Sequence, residues 1–123
     1  FIPPESKPPF DCDEAYSCAY ALADGDEDVL RNVCMAMSSS IWQKGQALKD
    51  SDDIVRSLSN FNSSKSLLID CVNNSKGKVL HENTVNEAVE IGMIGSPWFY
   101  YQGESFWGND RLELIDFLFS NTR

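Results

Sequence analysis

A single histidine, His81, serves the whole of this 123-residue chain, so any mechanism that needs an imidazole base has one candidate. Basic side chains are scarce as well. Ten lysines and arginines stand against nineteen aspartates and glutamates, leaving a net charge of −9 and a pI near 4.4. So acidic a chain repels a phosphate backbone, and nucleic acid is not an expected partner. No apolar run approaches the roughly 20 residues of a membrane-spanning helix. There is no internal repeat and no low-complexity tract. No two cysteines stand in a Cys-x-x-Cys spacing, so neither a dithiol redox motif nor a zinc knuckle is indicated. No metal is expected.

What is present suffices for one core. The chain is 42% hydrophobic and 11% aromatic, and one domain is the default at this length. Its four cysteines, Cys12, Cys18, Cys34 and Cys71, form an even set. They read either as two structural disulfides of a secreted chain or as four reduced, buried thiols, with the connectivity open. Antiparallel pairing of the first two helices would set Cys34 about one turn from both Cys12 and Cys18. Asn62-Ser63-Ser64 and Asn73-Asn74-Ser75 are glycosylation sequons. The first residue is Phe1 rather than methionine, which points to removal of a leader, a tag or an upstream domain. Together these features favour the secretory pathway.

Residues 1–10 carry Pro3, Pro4, Pro8 and Pro9 and read as an extended arm. Residues 11–123 read as the single domain, helical over 11–92. Apolar spacing predicts a helix from about Asp11 to Ala23 with Cys12, Ala15, Tyr16, Ala19 and Tyr20 on one face. Asp24-Gly25 breaks it, and Asp26, Glu27 and Asp28 open a second helix where acid suits the dipole. Val29, Leu30, Val33, Cys34, Met37, Ile41 and Trp42 recur along that helix until Gly45. The Asp24–Asp28 cluster lacks the ligand alternation of a calcium loop and reads as capping. Shorter helices follow from Ser51 with Ile54, Val55 and Leu58 inward, and from Ser63 or Ser64 with Leu67, Leu68 and Cys71 inward. A longer one runs from about Lys78 to Ile91, burying Leu80, Val79, Val85, Ala88 and Val89, and Gly92 ends it. Strands at 98–101 and 105–107 precede a last helix, Asp110 to Phe119, with Leu112, Ile115, Leu118 and Phe119 inward.

The most specific segment is the run from Gly92 to Leu112. Proline in sheets is confined to strand starts, edges and bulges, so Ser96-Pro97 marks a strand opening. A cis bond is expected there, since proline alone makes cis inexpensive. Backbone groups just before such a proline are left open to a peptide-like ligand.

Gly95-Ser96-Pro97-Trp98-Phe99 and Gly103-Glu104-Ser105-Phe106-Trp107-Gly108-Asn109-Asp110-Arg111-Leu112 resemble the C-terminal motifs of DsbA-like thioredoxin-fold proteins. The likeness is to the branch of kappa-class glutathione transferases and 2-hydroxychromene-2-carboxylate isomerases. That branch carries G-[VL]-P-T-F and then G-E-x-F-W-G-x-D-R-L. The second motif matches almost throughout. In the first, Ser96 replaces an aliphatic residue and Trp98 a threonine. The resemblance spans most of the chain in topology but is motif-specific only from about Ala88. It implies an α+β, mostly helical fold: a helical subdomain, then the C-terminal β-hairpin and helix of a partial thioredoxin fold.

By position, the resemblance implies a glutathione-type site. Gly95, Ser96 and Pro97 would pair with the cysteinyl backbone, and Asn109 and Asp110 would hold the γ-glutamyl head. The family's reactive group, a CxxC or an N-terminal serine, sits in an opening strand–loop–helix that this sequence does not display around Ser6, Cys12 or Ser17. The chain therefore resembles the distal half to two-thirds of such a protein, with no catalytic residue of its own. Its strand 98–101 is apolar or aromatic on both faces, as in a strand with neighbours. Homo-oligomerisation or a completing partner chain at that edge is expected. By resemblance, a mitochondrial or peroxisomal location is the alternative to secretion.

His81, beside Glu82, reads as a surface residue. Cys12 and Cys34 lie in helical apolar patterns rather than at helix starts that would activate a thiol. Trp42, Trp98, Trp107, Tyr100, Tyr101 and Phe106 could line an apolar pocket or fill a core. Two functions are consistent with these readings. One is a truncated or degenerate transferase-like protein that keeps part of a glutathione site. The other is a non-catalytic, disulfide-stabilised extracellular binding or assembly protein.

Overall fold

The computed structural model describes residues 11–121, so the Pro-rich arm 1–10 lies outside the described residues. The chain divides into two compact units, one ending at Thr84 and one beginning at Val85. The first contains α1 (Asp13–Ala23), α2 (Glu27–Trp42), α3 (Ser51–Ser57), α4 (Lys65–Val72) and most of α5 (Ser75–Glu90). The second contains β1 (Trp98–Tyr101), β2 (Glu104–Trp107), a single 3-10 turn at Asn109–Arg111 and α6 (Leu112–Asn121).

Helix starts in the first unit follow their capping residues. The Asp26 carboxylate accepts from the N–H groups of Asp28 and Val29, both at 3.0 Å. Asp50, one residue ahead of the predicted Ser51, accepts from the Asp53 N–H at 2.9 Å. Ser64 accepts from the Leu67 N–H at 3.2 Å. Each satisfies a donor that the first helical turn leaves without a partner.

The core joins Ala15, Cys18 and Ala19 of α1 to Val33, Met37 and Ile41 of α2, Ile54 of α3, Leu58, and Leu68, Cys71 and Val72 of α4. Ile54 and Leu58 are completely buried, each worth about 2–3 kcal/mol in apolar area removed from water. Buried hydroxyls are satisfied locally: Ser17 donates to the Asp13 carbonyl at 2.8 Å, and Ser57 donates to the Ile54 carbonyl at 2.6 Å.

Several predicted inward faces are corrected. On α1 the predicted Ala15 and Ala19 are buried together with Ser17, Cys18 and Ala23, while Cys12 and Tyr20 are half-buried and Tyr16 faces outward. Tyr16 is 50% exposed. Cys34, Trp42 and Leu67 also point outward. On α5 the only buried residue is Gly77, while Val79, Val85 and Val89 are exposed. The reason is how α5 docks. A Cβ on Gly77 would strike the Ser17 carbonyl oxygen and sit 3.0 Å from the Ala21 Cβ, so the two helices meet backbone to backbone. Lys76 pairs with Asp24 at one end of this contact, and His81 pairs with Asp13 at the other. Small and polar residues at near i, i+4 spacing form the seam, and Val79 lies off it.

In the second unit, β1 and β2 pair antiparallel with Trp98 opposite Trp107, Phe99 opposite Phe106 and Tyr101 opposite Glu104. Gln102 and Gly103 both take positive φ, 49° and 83°, the two-residue turn whose twist suits a hairpin. Tyr101 stacks on Phe119 of α6 with ring centroids 4.1 Å apart. That places α6 on the face carrying Phe99, Tyr101 and Phe106, since cross-strand partners share a face. No described residue from Val85 onward is buried. Leu112, predicted inward, is exposed; Phe119 faces the hairpin through Tyr101 while staying 42% exposed, and Ile115 and Leu118 are half-buried.

Candidate functional site

The two motif halves of the second unit meet at the open end of its hairpin. The Ser96–Pro97 peptide is cis. The Gly108 N–H donates to the Pro97 carbonyl at 3.0 Å, fastening the strand start to the turn that leads into α6. The Trp107 indole lies over Gly95, where a Cβ would come within 2.5 Å of Nε1. The Asp110 carboxylate folds back on Gly108, where a Cβ would come within 2.5 Å of Oδ1. Gly108 holds φ 106°, a conformation that side chains disfavour. Pro97, Gly108 and Asp110 are thus connected through direct contacts, with Gly95 against the Trp107 ring and with Ser96 and Asn109 beside them in sequence and exposed. The Trp98 indole N–H is a buried donor without a hydrogen-bond partner, next to Pro97 in sequence and opposite Trp107 in the ladder. This end therefore offers the Asp110 carboxylate and the Trp107 ring, while the Trp98 N–H is shielded from solvent.

The first unit has a cavity of about 190 Å³ between α1 and α2, lined by Cys12, Tyr16, Cys34, Met37, Ile41 and Trp42 among others. Burial pushes the Tyr16 phenol up, and the Cys12 and Cys34 sulfurs add to the effect. Beside it, His81 is not the surface residue expected from sequence. Its side chain is only 15% exposed. The ring lies 5.3 Å from that of Tyr16 and 6.4 Å from that of Tyr20, with Nε2 3.2 Å from an Asp13 carboxylate oxygen. Asp13, Tyr16 and Tyr20 recur at i, i+3 and i+7 on α1, a spacing that marks one helix face and was the available sequence signal. The cluster joins α1 to α5.

The structure holds Cys12, Cys18, Cys34 and Cys71 as free thiols, not as the two disulfides expected of a secreted chain. Cys18 and Cys71 pack as small hydrophobes in the core. Burial pushes the Cys18 thiol up to about 12, with Cys71 adding to the shift. Burial also raises Cys12, with help from Asp11 and Asp13. Cys34 is raised by burial alone, and Cys71 by burial and then by Asp70. All four shifts run away from a thiolate, opposite to the direction an activated nucleophile needs.

The acidic run 24–28 is engaged in pairing and capping: Asp24 with Lys76, Asp26 at the start of α2, and Asp28 with Arg31 at 3.1 Å. Among the described residues no cluster of three or more His, Cys, Asp or Glu could hold a metal ion. Of the two sequons, Asn62 is exposed in a bend between α3 and α4. Asn73 follows α4 directly, and its amide donates to the Ile69 carbonyl at 3.2 Å.

A helical unit followed by an X-Pro strand, a tight hairpin and a closing helix is the layout of the distal part of a thioredoxin-type α+β protein. The DSBA-like thioredoxin domain matches residues 2–118, and the chain belongs to that family. It is similar to a 2-hydroxychromene-2-carboxylate isomerase of Sphingobium xenophagum, with 24% identity over 107 residues, 87% of this chain and 54% of the isomerase. The chain thus spans about half the length of this curated relative.

Proposed function

We propose that this chain is the ligand-positioning part of a DSBA-like protein whose hairpin end takes a glutathione-type peptide thiol. The observation that supports this most is the Pro97–Gly108 bond, which draws segments 95–97 and 109–110 to one end of the hairpin. Backbone groups around Gly95 and Ser96 pair with the cysteinyl unit. Asp110 faces the ammonium of the γ-glutamyl head, and the N–H groups opening the 3-10 turn and α6 face its carboxylate. None of the described thiols is activated, and His81 is committed to Asp13 and two tyrosine rings. Transferase, isomerase or thiol–disulfide chemistry would then draw its reactive group from outside residues 11–121.

The second unit also asks for a neighbour. Ile94 is 73% exposed and Phe117 61%, and among the described residues β1 and β2 form a two-stranded sheet. A two-stranded sheet is marginal by itself, so a second copy or a completing chain beside β1 is part of this reading. Calorimetric titration with glutathione tests the binding claim, with Asp110→Asn as the control that should weaken it.

The exposed apolar side chains favour a second reading: a non-catalytic extracellular binding or assembly protein, glycosylated at Asn62 and disulfide-stabilised. It predicts association without glutathione binding. Glycosidase-sensitive mass on material secreted from eukaryotic cells would support it.

A further inference from the structure

Cys18 and Cys71 are far apart in sequence and lie in the same buried cluster of the first unit. Cys18 is completely buried, and its Sγ lies 3.9 Å from the Leu68 carbonyl oxygen. Leu68 stands one turn before Cys71 on α4. A helical side chain leans back over the turn N-terminal to its own Cα. The Cys71 sulfur is therefore carried toward the carbonyl that Cys18 already touches. Cys71 is itself buried, in the same cluster. Cys12 and Cys34 lie elsewhere, on the wall of the α1–α2 cavity. The four thiols thus sort into a core pair and a cavity pair.

We infer that Cys18 and Cys71 form a disulfide joining α1 to α4 when the chain folds in the presence of a low-molecular-weight disulfide such as glutathione disulfide. The Cys71 thiol loses its proton to solvent, and its sulfur attacks one sulfur of glutathione disulfide. That S–S bond breaks, and the first glutathione leaves as a thiolate that takes up a proton. Cys18, deprotonated in turn, attacks the Cys71 sulfur of the mixed disulfide and expels the second glutathione. Two protein S–H bonds and one glutathione S–S bond become one protein S–S bond and two glutathione thiols. The pair is oxidised by two electrons and glutathione disulfide is reduced by two. Once formed in the core the link is slow to reduce, because a thiol with a raised pKa is a poor leaving group and the sulfurs are shielded from attack.

The full chain, refolded from urea in a glutathione redox buffer, quenched in acid, alkylated in denaturant and digested, gives the pairing by mass spectrometry. A linked peptide pair holding Cys18 and Cys71 is expected, with or without a Cys12–Cys34 link. Cys18 joined to Cys12 or Cys34, or Cys18 and Cys71 both alkylated, would overturn the assignment. The double variant Cys12→Ser, Cys34→Ser keeps Cys18 and Cys71 as the sole thiols and provides a second readout, each redox state being compared within the same variant. Its urea midpoint should rise on oxidation and fall back on reduction; an unchanged midpoint contradicts the cross-link.

Discussion

Gly77 sets the backbone of α5 directly against the Ser17 carbonyl of α1, with no room for a side chain between them. The Lys76–Asp24 and His81–Asp13 pairs hold the two ends of this approach. The glycine weakens helix propensity by about 1 kcal/mol relative to alanine, and the close packing is what that weakness permits.

Gly77→Ala should therefore destabilise the fold by about 2 kcal/mol despite its better helix propensity, because overpacking against backbone outweighs the gain. Urea unfolding followed by far-UV circular dichroism measures this. A higher midpoint than the parent would show that α5 does not rest on Ser17.

His81→Ala should cost about 1–2 kcal/mol, through lost contact with the Tyr16 and Tyr20 rings and the loss of the Asp13 partner. The same variant should leave glutathione affinity unchanged, since His81 is not one of the candidate ligand residues. Equal stability in thermal melts would return His81 to the status of a surface residue.

Alkali should weaken the reduced fold through Cys18. Its folded-state pKa, pushed up to about 12, stands above the ordinary thiol value of 9.0. Between these two values the unfolded chain has lost the proton that the folded chain still holds, so stability falls as pH rises. It is fully present below pH 9.0 and lost progressively toward about 12. Urea midpoints of the reduced chain from pH 8 upward should fall more steeply than those of Cys18→Ala. Parallel pH profiles would contradict the burial of this thiol.

Exposed apolar residues of the second unit should drive association. Sedimentation velocity is expected to show a concentration-dependent species larger than a monomer, and Phe117→Asp or Tyr100→Lys should shift it toward monomer. A monomer at every concentration would mean that the β1 edge is satisfied without a neighbour.

The hairpin was the legible part of this sequence. Its turn chemistry is local: Gln102-Gly103 fixes the turn, Pro97 marks the strand start, and Gly108 precedes the last helix. The helix starts at Asp26 and Ser64 were legible for the same reason, since a cap needs only its own first turn. The face of α5 was not legible. Apolar periodicity placed Val79 inward, but the α1–α5 seam is made by Gly77, Lys76 and His81, the last against the Tyr16 and Tyr20 rings, and a glycine contact leaves no hydrophobic signal. At the candidate site, the residues from Gly95 to Asp110 were identified through their motifs. The Gly108–Pro97 bond and the unpaired Trp98 N–H depend on strand register, which residue type alone does not specify.

The most direct test is titration of the chain with reduced glutathione, followed by calorimetry and by backbone amide shifts. The account predicts saturable binding with a dissociation constant on the order of 1 mM or tighter. Shifts should concentrate at Gly95, Ser96, Asn109 and Asp110, and Asp110→Asn should weaken binding several-fold. No heat and no amide shifts at glutathione concentrations well above that range would contradict a retained glutathione-type site.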